Sequence, residues 1–288
     1  MAEIAARTRA PRTALPGIPA LLAGQVRYQL LLLIRTPRAL FAGLLLPGGL
    51  LALRLGKVSQ LGGHEAVLTG TVAGLTVLGM LGTAYVTHAT GLVSARQDGV
   101  LRRWRATPLP RWGYFFGRIT ATVLLADAAA AVLVAVGVAM AHLRLGAGSM
   151  ISLLVIVTVG AAAWAAVGTA VTAFITTTDS ASPVLMITYL PVVLLSGAFG
   201  SLGGLPGWIT TLMSYLPATP LIDAATRALQ YTGSGLAPIP ARDVAVVAAW
   251  IAAGLAGSLL LFRWDPSRPR HARRSPAEDR APLPRAGG

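Results

Sequence analysis

The chain of 288 residues contains no cysteine, a single lysine and few acidic residues. Without cysteine it has no disulfide, no thiolate nucleophile and no thiolate metal site. Charged residues make up 12% of the chain, against roughly 25% in a soluble domain. The four histidines are dispersed, without the spacing of a metal site. These shortages argue against an ordinary soluble domain, and they leave thiol chemistry and a histidine metal centre without residues.

Long uncharged runs take the place of the missing charge. The chain is 55% hydrophobic with a mean hydropathy of +0.67, and several runs exceed the roughly 20 residues that a helix needs to cross a bilayer. The runs are continuously apolar rather than alternating, which favours helices over strands. We therefore predict an all-α polytopic membrane protein with six transmembrane helices. The predicted spans are 38–54, 66–90, 119–143, 150–175, 183–199 and 243–262.

Three shorter helices are predicted around these spans. Residues 21–36 carry apolar residues at helical spacing around a central Arg27, which is typical of an interfacial helix along the inner leaflet; an extension of the first span is the alternative. Between spans five and six, prolines break an apolar stretch. It is predicted to form re-entrant extracellular helices at about 205–215 and 219–231. On the second of them, an ion pair is predicted between Asp223 and Arg227, which are four residues apart.

Basic residues are concentrated at both ends of the chain and in one central loop. Of 24 lysine and arginine residues, 19 lie in residues 1–38, 96–118 and 263–288. The positive-inside rule therefore predicts that both termini and the central loop are cytoplasmic. This topology, together with anionic lipid headgroups, accounts for the net charge of +14, so no nucleic-acid partner is predicted.

The arginine- and proline-rich ends lie outside the predicted membrane domain. Residues 1–20 and 265–288 are predicted to be disordered cytoplasmic tails, and residues 21–264 form the six-span domain. The alanine- and arginine-rich composition suggests a bacterial protein, and the predicted location is the plasma membrane.

The central loop reads RQDGVLRRWRATPLPRWGYFFGR, from Arg96 to Arg118, and holds six arginines against the single acid Asp98. A short helix fits between its glycine and its first proline, with Leu101 and Trp104 on one face and the arginines largely elsewhere. An aromatic anchor ringed by arginine is typical of a binding hot spot. We predict a docking surface for a partner protein. A loop held on lipid headgroups by arginine and tryptophan is the alternative.

Three segments resemble the permease subunit of type-2 ABC exporters, in the drug and antibiotic exporter class. They are the basic loop, the stretch LLSGAFGSLGGLPGW followed by YLPATPLIDAATRAL, which is similar to the family's re-entrant segment, and RDVAVVAAWIAAGLAGSLLLFRWDP, which is similar to its closing span. With the number and order of spans, the resemblance covers roughly residues 20–265. One position departs from the family pattern: this chain has Gln97 where the family commonly has glutamate.

The resemblance implies a half-transporter. Two copies would form the pore, with spans two and five lining it, and each copy would dock on a separate ATP-binding subunit. The implied cargo is an apolar or amphipathic small molecule such as an antibiotic, a drug or a lipid. The residues implied to contact the ATP-binding subunit are Asp98, Gly99, Leu101, Arg102, Arg103, Trp104, Arg105 and Pro108.

One feature of the sequence agrees with ATP binding on a separate subunit. The chain contains no G-x-x-x-x-G-K-[ST] phosphate loop, so ATP is expected on the partner chain. No catalytic residue and no cofactor of its own are predicted for this chain, which would be a transport subunit rather than an enzyme.

Two polar residues, His88 and Asp127, lie deep in the predicted spans. Asp127 is nine residues past Arg118, and His88 is eight residues before Arg96. These offsets correspond to about 13 Å and about 12 Å along a helix. Because the two spans are consecutive and antiparallel, the side chains are predicted to reach one depth and to pair. A polar spot in the substrate path, a proton relay and a structural hydrogen bond are the alternatives.

Other kinds of function remain as alternatives. An ion-coupled secondary transporter usually needs several buried ionisable groups, and the spans hold essentially one acid. A membrane-embedded hydrolase or transferase would need a nucleophile–base or metal constellation, and none is visible. A polysaccharide-exporting permease is the third alternative.

Overall fold

The computed structural model describes residues 17–60, 65–105, 111–199, 206–233 and 235–261, and within them the chain is helical with no strand. Six of the helices are long and apolar enough to cross a membrane, as predicted. They are named spans 1 to 6 in chain order: Phe41–Val58, Glu65–Gln97, Trp112–Ala141, Ala147–Phe174, Thr178–Leu195 and Ala241–Leu261. The end of the spans at which the basic loop joins spans 2 and 3 is called the loop end.

The described residues also form a short turn of helix, Pro37–Leu40, that leads into span 1, and four further helices. These four are the N-terminal helix Ile18–Ile34, the loop helix Val100–Arg105, and the first and second connecting helices, Gly207–Ser214 and Ala218–Gln230. The connecting helices begin and end within two residues of the prediction. The N-terminal helix begins inside the predicted tail, because Pro19 is tolerated in a first turn. The remaining tail residues, 1–16 and 265–288, lie outside the described residues.

Three spans extend further toward the loop end than the sequence predicted, and one of them is span 3, which begins at Trp112 instead of at residue 119. Span 2 continues to Gln97 because Thr90 and Ser94 satisfy their hydroxyls on carbonyls one turn earlier, at 2.8 and 3.1 Å. Span 5 begins at Thr178 because Thr177 and Ser180 form a capping box. These polar residues are therefore helical, although they looked like loop in the sequence.

Span 2 is the centre of the subunit. In its apolar window 72% of the residues are buried inside the chain, against 17% in span 5 and 6% in span 6. Span 2 packs against spans 1, 3, 4 and 5 and the second connecting helix. Span 5 packs mainly against span 2, whereas span 6 packs on span 4 and the second connecting helix. Spans 5 and 6 thus lie at the periphery, on different neighbours.

Spans 1 and 2 cross at small residues. A Cβ atom on Gly79 would lie 2.6 Å from the carbonyl oxygen of Gly43, and one on Gly82 would lie 2.6 Å from that of Ala42. Both helices have a π-helical stretch at this crossing, Phe41–Leu45 and Gly82–Thr87. The small residues at this crossing allow the two backbones to approach closely.

Candidate functional site

The joint between span 2 and the loop helix consists of two residues, Asp98 and Gly99. The backbone N–H of Asp98 donates to Ser94 O at 2.8 Å, and Gly99 adopts a left-handed φ of +70°. Gly99 then accepts the first bond of the loop helix, from Arg103 N at 3.0 Å. A left-handed glycine ends a helix at little conformational cost. The loop helix is thus attached to the end of span 2 without a slack linker.

The apolar face of the loop helix packs within the chain. Leu101 is buried and contacts Leu92 of span 2 and Tyr114 of span 3. The Trp104 ring is partly buried and meets the Tyr114 ring edge-on, with centroids 5.6 Å apart. The predicted face of Leu101 and Trp104 therefore exists, but it fastens the loop helix to spans 2 and 3 instead of forming an exposed anchor.

Arginines occupy the outer side of the loop helix. Arg102 and Arg103 are exposed, and Arg103 Nη2 donates to the carbonyl oxygen of Asp98 at 3.0 Å. Arg105 ends the helix, and Pro108 lies outside the described residues. An incoming protein would meet cationic side chains first.

Gln97 connects the loop end of span 2 to the start of span 5. Its Oε1 accepts a hydrogen bond from Thr178 N at 2.7 Å and a second one from the Thr178 hydroxyl. The first N–H groups of a helix lack partners inside the helix and carry partial positive charge. Gln97 satisfies one of them from another span. A glutamate, the residue expected from the resemblance, could accept both bonds as well.

This contact predicts opposite results for two substitutions of Gln97. Gln97→Leu removes the acceptor and is expected to destabilise the protein by about 1 kcal/mol, the usual effect of losing a helix cap. Gln97→Glu keeps an acceptor and is expected to unfold at or slightly above the wild-type temperature. The measurement is thermal unfolding of the purified protein. Equal stability of the leucine variant and the wild type would contradict this role.

A buried histidine joins three spans near the loop end. His88 of span 2 is fully buried; its Nδ1 lies 3.0 Å from Thr122 Oγ1 in span 3, and its Nε2 lies 3.0 Å from Thr169 Oγ1 in span 4. In a neutral imidazole one nitrogen donates and the other accepts, so two hydroxyls satisfy the ring. Threonine, not aspartate, is the partner of His88.

The predicted pair of His88 and Asp127 is wrong. Both carboxylate oxygens of Asp127 accept from the Thr158 hydroxyl, at 3.2 and 3.0 Å. On span 3, Thr122 lies at the same depth as His88, and Asp127 follows Thr122 by five residues. That offset is about 7.5 Å of rise and about 140° of rotation. Asp127 therefore faces span 4 at a different depth.

The predicted ion pair on the second connecting helix also has a different partner. Arg227 Nη1 donates to Asp243 Oδ2 at 3.1 Å, and Asp243 lies in the first turn of span 6. The bond ties the connecting helix to span 6, and Arg227 acts on Asp223 by its charge without a direct ion pair among the described residues.

Two arginines of the basic loop are buried between spans. Arg96 is 7% exposed, and its guanidinium donates to the carbonyl oxygens of Thr172, at 3.1 Å, and Ile175. These carbonyls lie at the C-terminal end of span 4, where the helix dipole favours a cation. Arg118 is 6% exposed and donates to Gln29 Oε1 at 3.3 Å and to His88 O at 3.1 Å. Arg118 thus ties span 3 to the N-terminal helix and to span 2.

A cleft of about 1040 Å³ lies beside this region, between the N-terminal helix and spans 1, 2, 3 and 5. Its inner part is lined by Phe41 and Val86 and its loop end by Asp98 and Thr178. Hydroxyl, aromatic and aliphatic side chains alternate along its wall. The cleft can therefore accommodate a molecule that has both polar and apolar parts.

The opposite ends of the same spans are held together. Arg54 of span 1 donates to the carbonyl oxygen of Phe199, just after span 5, and its guanidinium lies 5.6 Å from the centroid of the Phe199 ring. A Cβ atom on Gly74 of span 2 would lie 2.6 Å from Ala198 O. Spans 1, 2 and 5 thus converge at this end, and the cleft lies between them toward the loop end, where Gln97 still joins span 2 to span 5.

Residues 23–229 match the model of the ABC-2 type transporter family. The chain belongs to this family. A search of curated proteins found no match. The matched region runs from the N-terminal helix to the second connecting helix and includes the loop helix and the cleft. An ABC-2 permease is the membrane subunit of an ABC transporter, is not itself catalytic and normally works with an ATP-binding subunit.

The position of span 2 in this ABC-2 permease differs from the pore-lining position that was predicted for it. Span 2 was predicted to line the path together with span 5, but most of it is buried inside the subunit. Only positions toward its loop end, such as Thr87, Thr90 and Ser94, face the cleft. Span 5 is largely free of intrachain contacts and contributes Ser182 and Met186 to the same cleft.

Arg96 and Arg118 were missed as buried residues because sequence analysis counted them with the basic loop. Their only sequence signal is that each stands at a boundary between the loop and an apolar run. In the ABC-2 permease each lies inside a helix, and each binds groups on another helix. Charge alone does not distinguish such arginines from solvent-exposed ones.

Proposed function

We propose that this ABC-2 permease is the membrane subunit of an ATP-driven exporter, in which two copies form the pore and a separately encoded subunit binds ATP. The main support for the proposal is the position of the loop helix. Leu101 packs this helix against spans 2 and 3, while Arg102 and Arg103 face outward. A cationic surface fixed to the transmembrane core suits a partner that exerts force on the spans.

The contacts of the loop supply a route for that force. The loop helix follows span 2 after two residues, and Leu101 packs against Tyr114 of span 3. Gln97, next to the joint, holds the first turn of span 5 through Thr178. A partner that displaces the loop helix would therefore also displace the loop ends of spans 2 and 5, between which the cleft opens.

The proposed cargo is an apolar or amphipathic small molecule such as an antibiotic, a drug or a lipid. The lining of the cleft supports this class of cargo because it includes the apolar side chains of Phe41 and Met186 as well as the hydroxyls of Thr90 and Ser94. The cleft lies beside spans 1 and 5, whose surfaces are largely unburied in one chain. A second copy packed against them would close the cleft into a path.

The proposed setting is the bacterial plasma membrane, with the loop helix and both termini in the cytoplasm. In this orientation the cleft opens to the cytoplasm, and the end held by Arg54 and Phe199 faces outward. The N-terminal helix would lie along the inner leaflet. The connecting helices would fold back into the outer leaflet.

Co-expression with a separately encoded ABC-type ATP-binding subunit, sought first among the neighbouring genes, tests the proposal. The two proteins are expected to purify as one complex containing two copies of each. In proteoliposomes the complex is expected to move a fluorescent amphipathic dye with ATP but not with a non-hydrolysable analogue. Dye transport by the isolated chain under an ion gradient, without nucleotide, would overturn the proposal and favour a secondary transporter.

A further inference from the structure

The inner cleft contains a buried cation whose charge is incompletely matched. Arg118 lines the cleft and is 6% exposed. Of its five N–H donors, one bonds the neutral amide of Gln29 and one bonds the carbonyl of His88. Its buried Nε has no hydrogen-bond partner. Among the described residues, no carboxylate forms an ion pair with it.

Arg96 provides an internal comparison. It is equally buried, but its guanidinium bonds go to two carbonyls at the C-terminal end of span 4, where the helix supplies partial negative charge. Arg118 has no such helix end: the carbonyl of His88 lies inside the helix, nine residues before the end of span 2. A guanidinium buried in a membrane protein without a counter-charge is costly. An anion supplied from outside the chain would offset this cost.

The acids that line the cleft do not provide that anion. Asp98 and Asp179 stand at its loop end. Arg118 reaches span 2 at His88, and Asp98 lies ten residues further along, about 15 Å away. Gly91, one turn from His88, leaves the space in which the guanidinium sits, since a Cβ atom there would collide with Arg118 Nη2.

We infer that the inner cleft binds an anionic amphiphile, with its carboxylate or phosphate on Arg118 and its hydrocarbon chain along Leu32, Phe41 and Met186. This inference rests on the proposed function, because it names the chemical class of cargo or lipid that enters the proposed path. Arginine matches carboxylate and phosphate through parallel N–H donors. The cleft, at about 1040 Å³, is at the upper end of the volumes of ligand sites.

The experiment uses the full chain purified in a neutral detergent, without any ATP-binding subunit. The probe is palmitic acid with a photoreactive diazirine in its chain, and the control probe is its methyl ester, which has the same chain and no charge. The acid is expected to label peptides that line the cleft about tenfold more than the ester, as fits the loss of a charge-assisted hydrogen bond. Equal labelling by acid and ester would overturn the inference.

Variants assign the effect to Arg118. Arg118→Gln is expected to lower acid labelling to the level of the ester, and Arg118→Lys, which keeps the charge, to retain most of it. Arg103→Gln, on the exposed side of the loop helix, is the matched control and is expected to label like the wild type. If Arg118→Gln does not fold, Met186→Trp carries the test. It narrows the cleft along the proposed position of the hydrocarbon chain and leaves the Arg118 charge in place, and undiminished acid labelling in it would overturn the inference.

A second arm separates the two sources of such an anion. Photoreactive phosphatidylglycerol is presented to the chain in phosphatidylcholine nanodiscs. Labelling of the cleft by this lipid would identify a bilayer lipid as the occupant, whereas labelling by the fatty acid alone would identify a single-chain cargo; both outcomes support an anionic site. Cleft labelling without ATP-coupled export would contradict the proposed function alone. Export without charge-dependent labelling would contradict this inference alone.

Discussion

Replacing Gly79 by valine is expected to destabilise the protein more than any other single change considered for its spans. The new Cβ would lie 2.6 Å from Gly43 O, 2.9 Å from a Leu133 methyl and 3.2 Å from Pro47 Cγ. The nearest of these atoms is backbone and cannot rotate away, so spans 1 and 2 must separate. Overpacking of this kind costs about 1–3 kcal/mol or more. Thermal unfolding in detergent should show a midpoint lower by about 5 °C or more.

The matched control lies on the same span. Gly70 has no atom within 4 Å of the position its Cβ would occupy. Gly70→Val makes the same chemical change in the same helix and is expected to leave the unfolding midpoint unchanged. If both variants lose the same stability, the effect belongs to valine in span 2 generally and not to the crossing with span 1.

Reversing the charge of Arg102 and Arg103 together, with Arg102→Glu and Arg103→Glu, is expected to uncouple the permease from its ATP-binding partner. Both side chains are exposed, so folding and the amount of protein in the membrane should stay at the wild-type level. Mismatched charge at an interface costs several kcal/mol. ATP-driven dye export and co-purification of the partner should therefore fall by about tenfold or more.

Lys57→Glu provides the control for this charge reversal. Lys57 is an exposed basic residue at the opposite end of span 1, and its reversal is expected to leave partner binding unchanged. A double arginine variant that still binds its partner and exports dye normally would remove the loop helix from the proposed interface. An equal defect in the Lys57 variant would point to a general effect of charge on the membrane protein.

The spans were predictable because burial in a bilayer requires long uncharged runs, and length and composition alone reveal such runs. The two connecting helices were also predictable, since prolines divide their segment. The ends of spans 2 and 5 were not. Thr90, Ser94 and Ser180 are polar, but they satisfy their hydroxyls within the helix or its cap. A hydropathy argument counts such residues as loop.

The hydrogen-bond partners of the polar residues could not be predicted from the sequence, for a geometric reason. Counting residues along a helix estimates depth, but it does not tell how the helix is rotated against its neighbour. His88 and Asp127 were assigned to similar depths, and their actual partners are Thr122 and Thr158. The same limit applies to Trp104, whose face was identified from spacing although the surface it packs on, Tyr114, could not be.

Gln97 and Arg118 illustrate a further limit. Both belong to the basic loop by sequence, and the sequence assigned their polarity to water or to a partner protein. In the structure they bond across helices, to Thr178 and to Gln29. Only a fold that brings distant segments together shows which polar groups are used inside the chain.

The hydrogen bonds around His88 have a mechanical consequence. Arg118 bonds Gln29 and the His88 carbonyl, and the His88 ring bonds both Thr122 and Thr169, so these bonds join the N-terminal helix and spans 2, 3 and 4. Buried bonds of this kind have no water to replace them when they break. These four helices should therefore tilt as one rigid block during a transport cycle. Most of the hinge motion is then left to span 5, which has a single main neighbour.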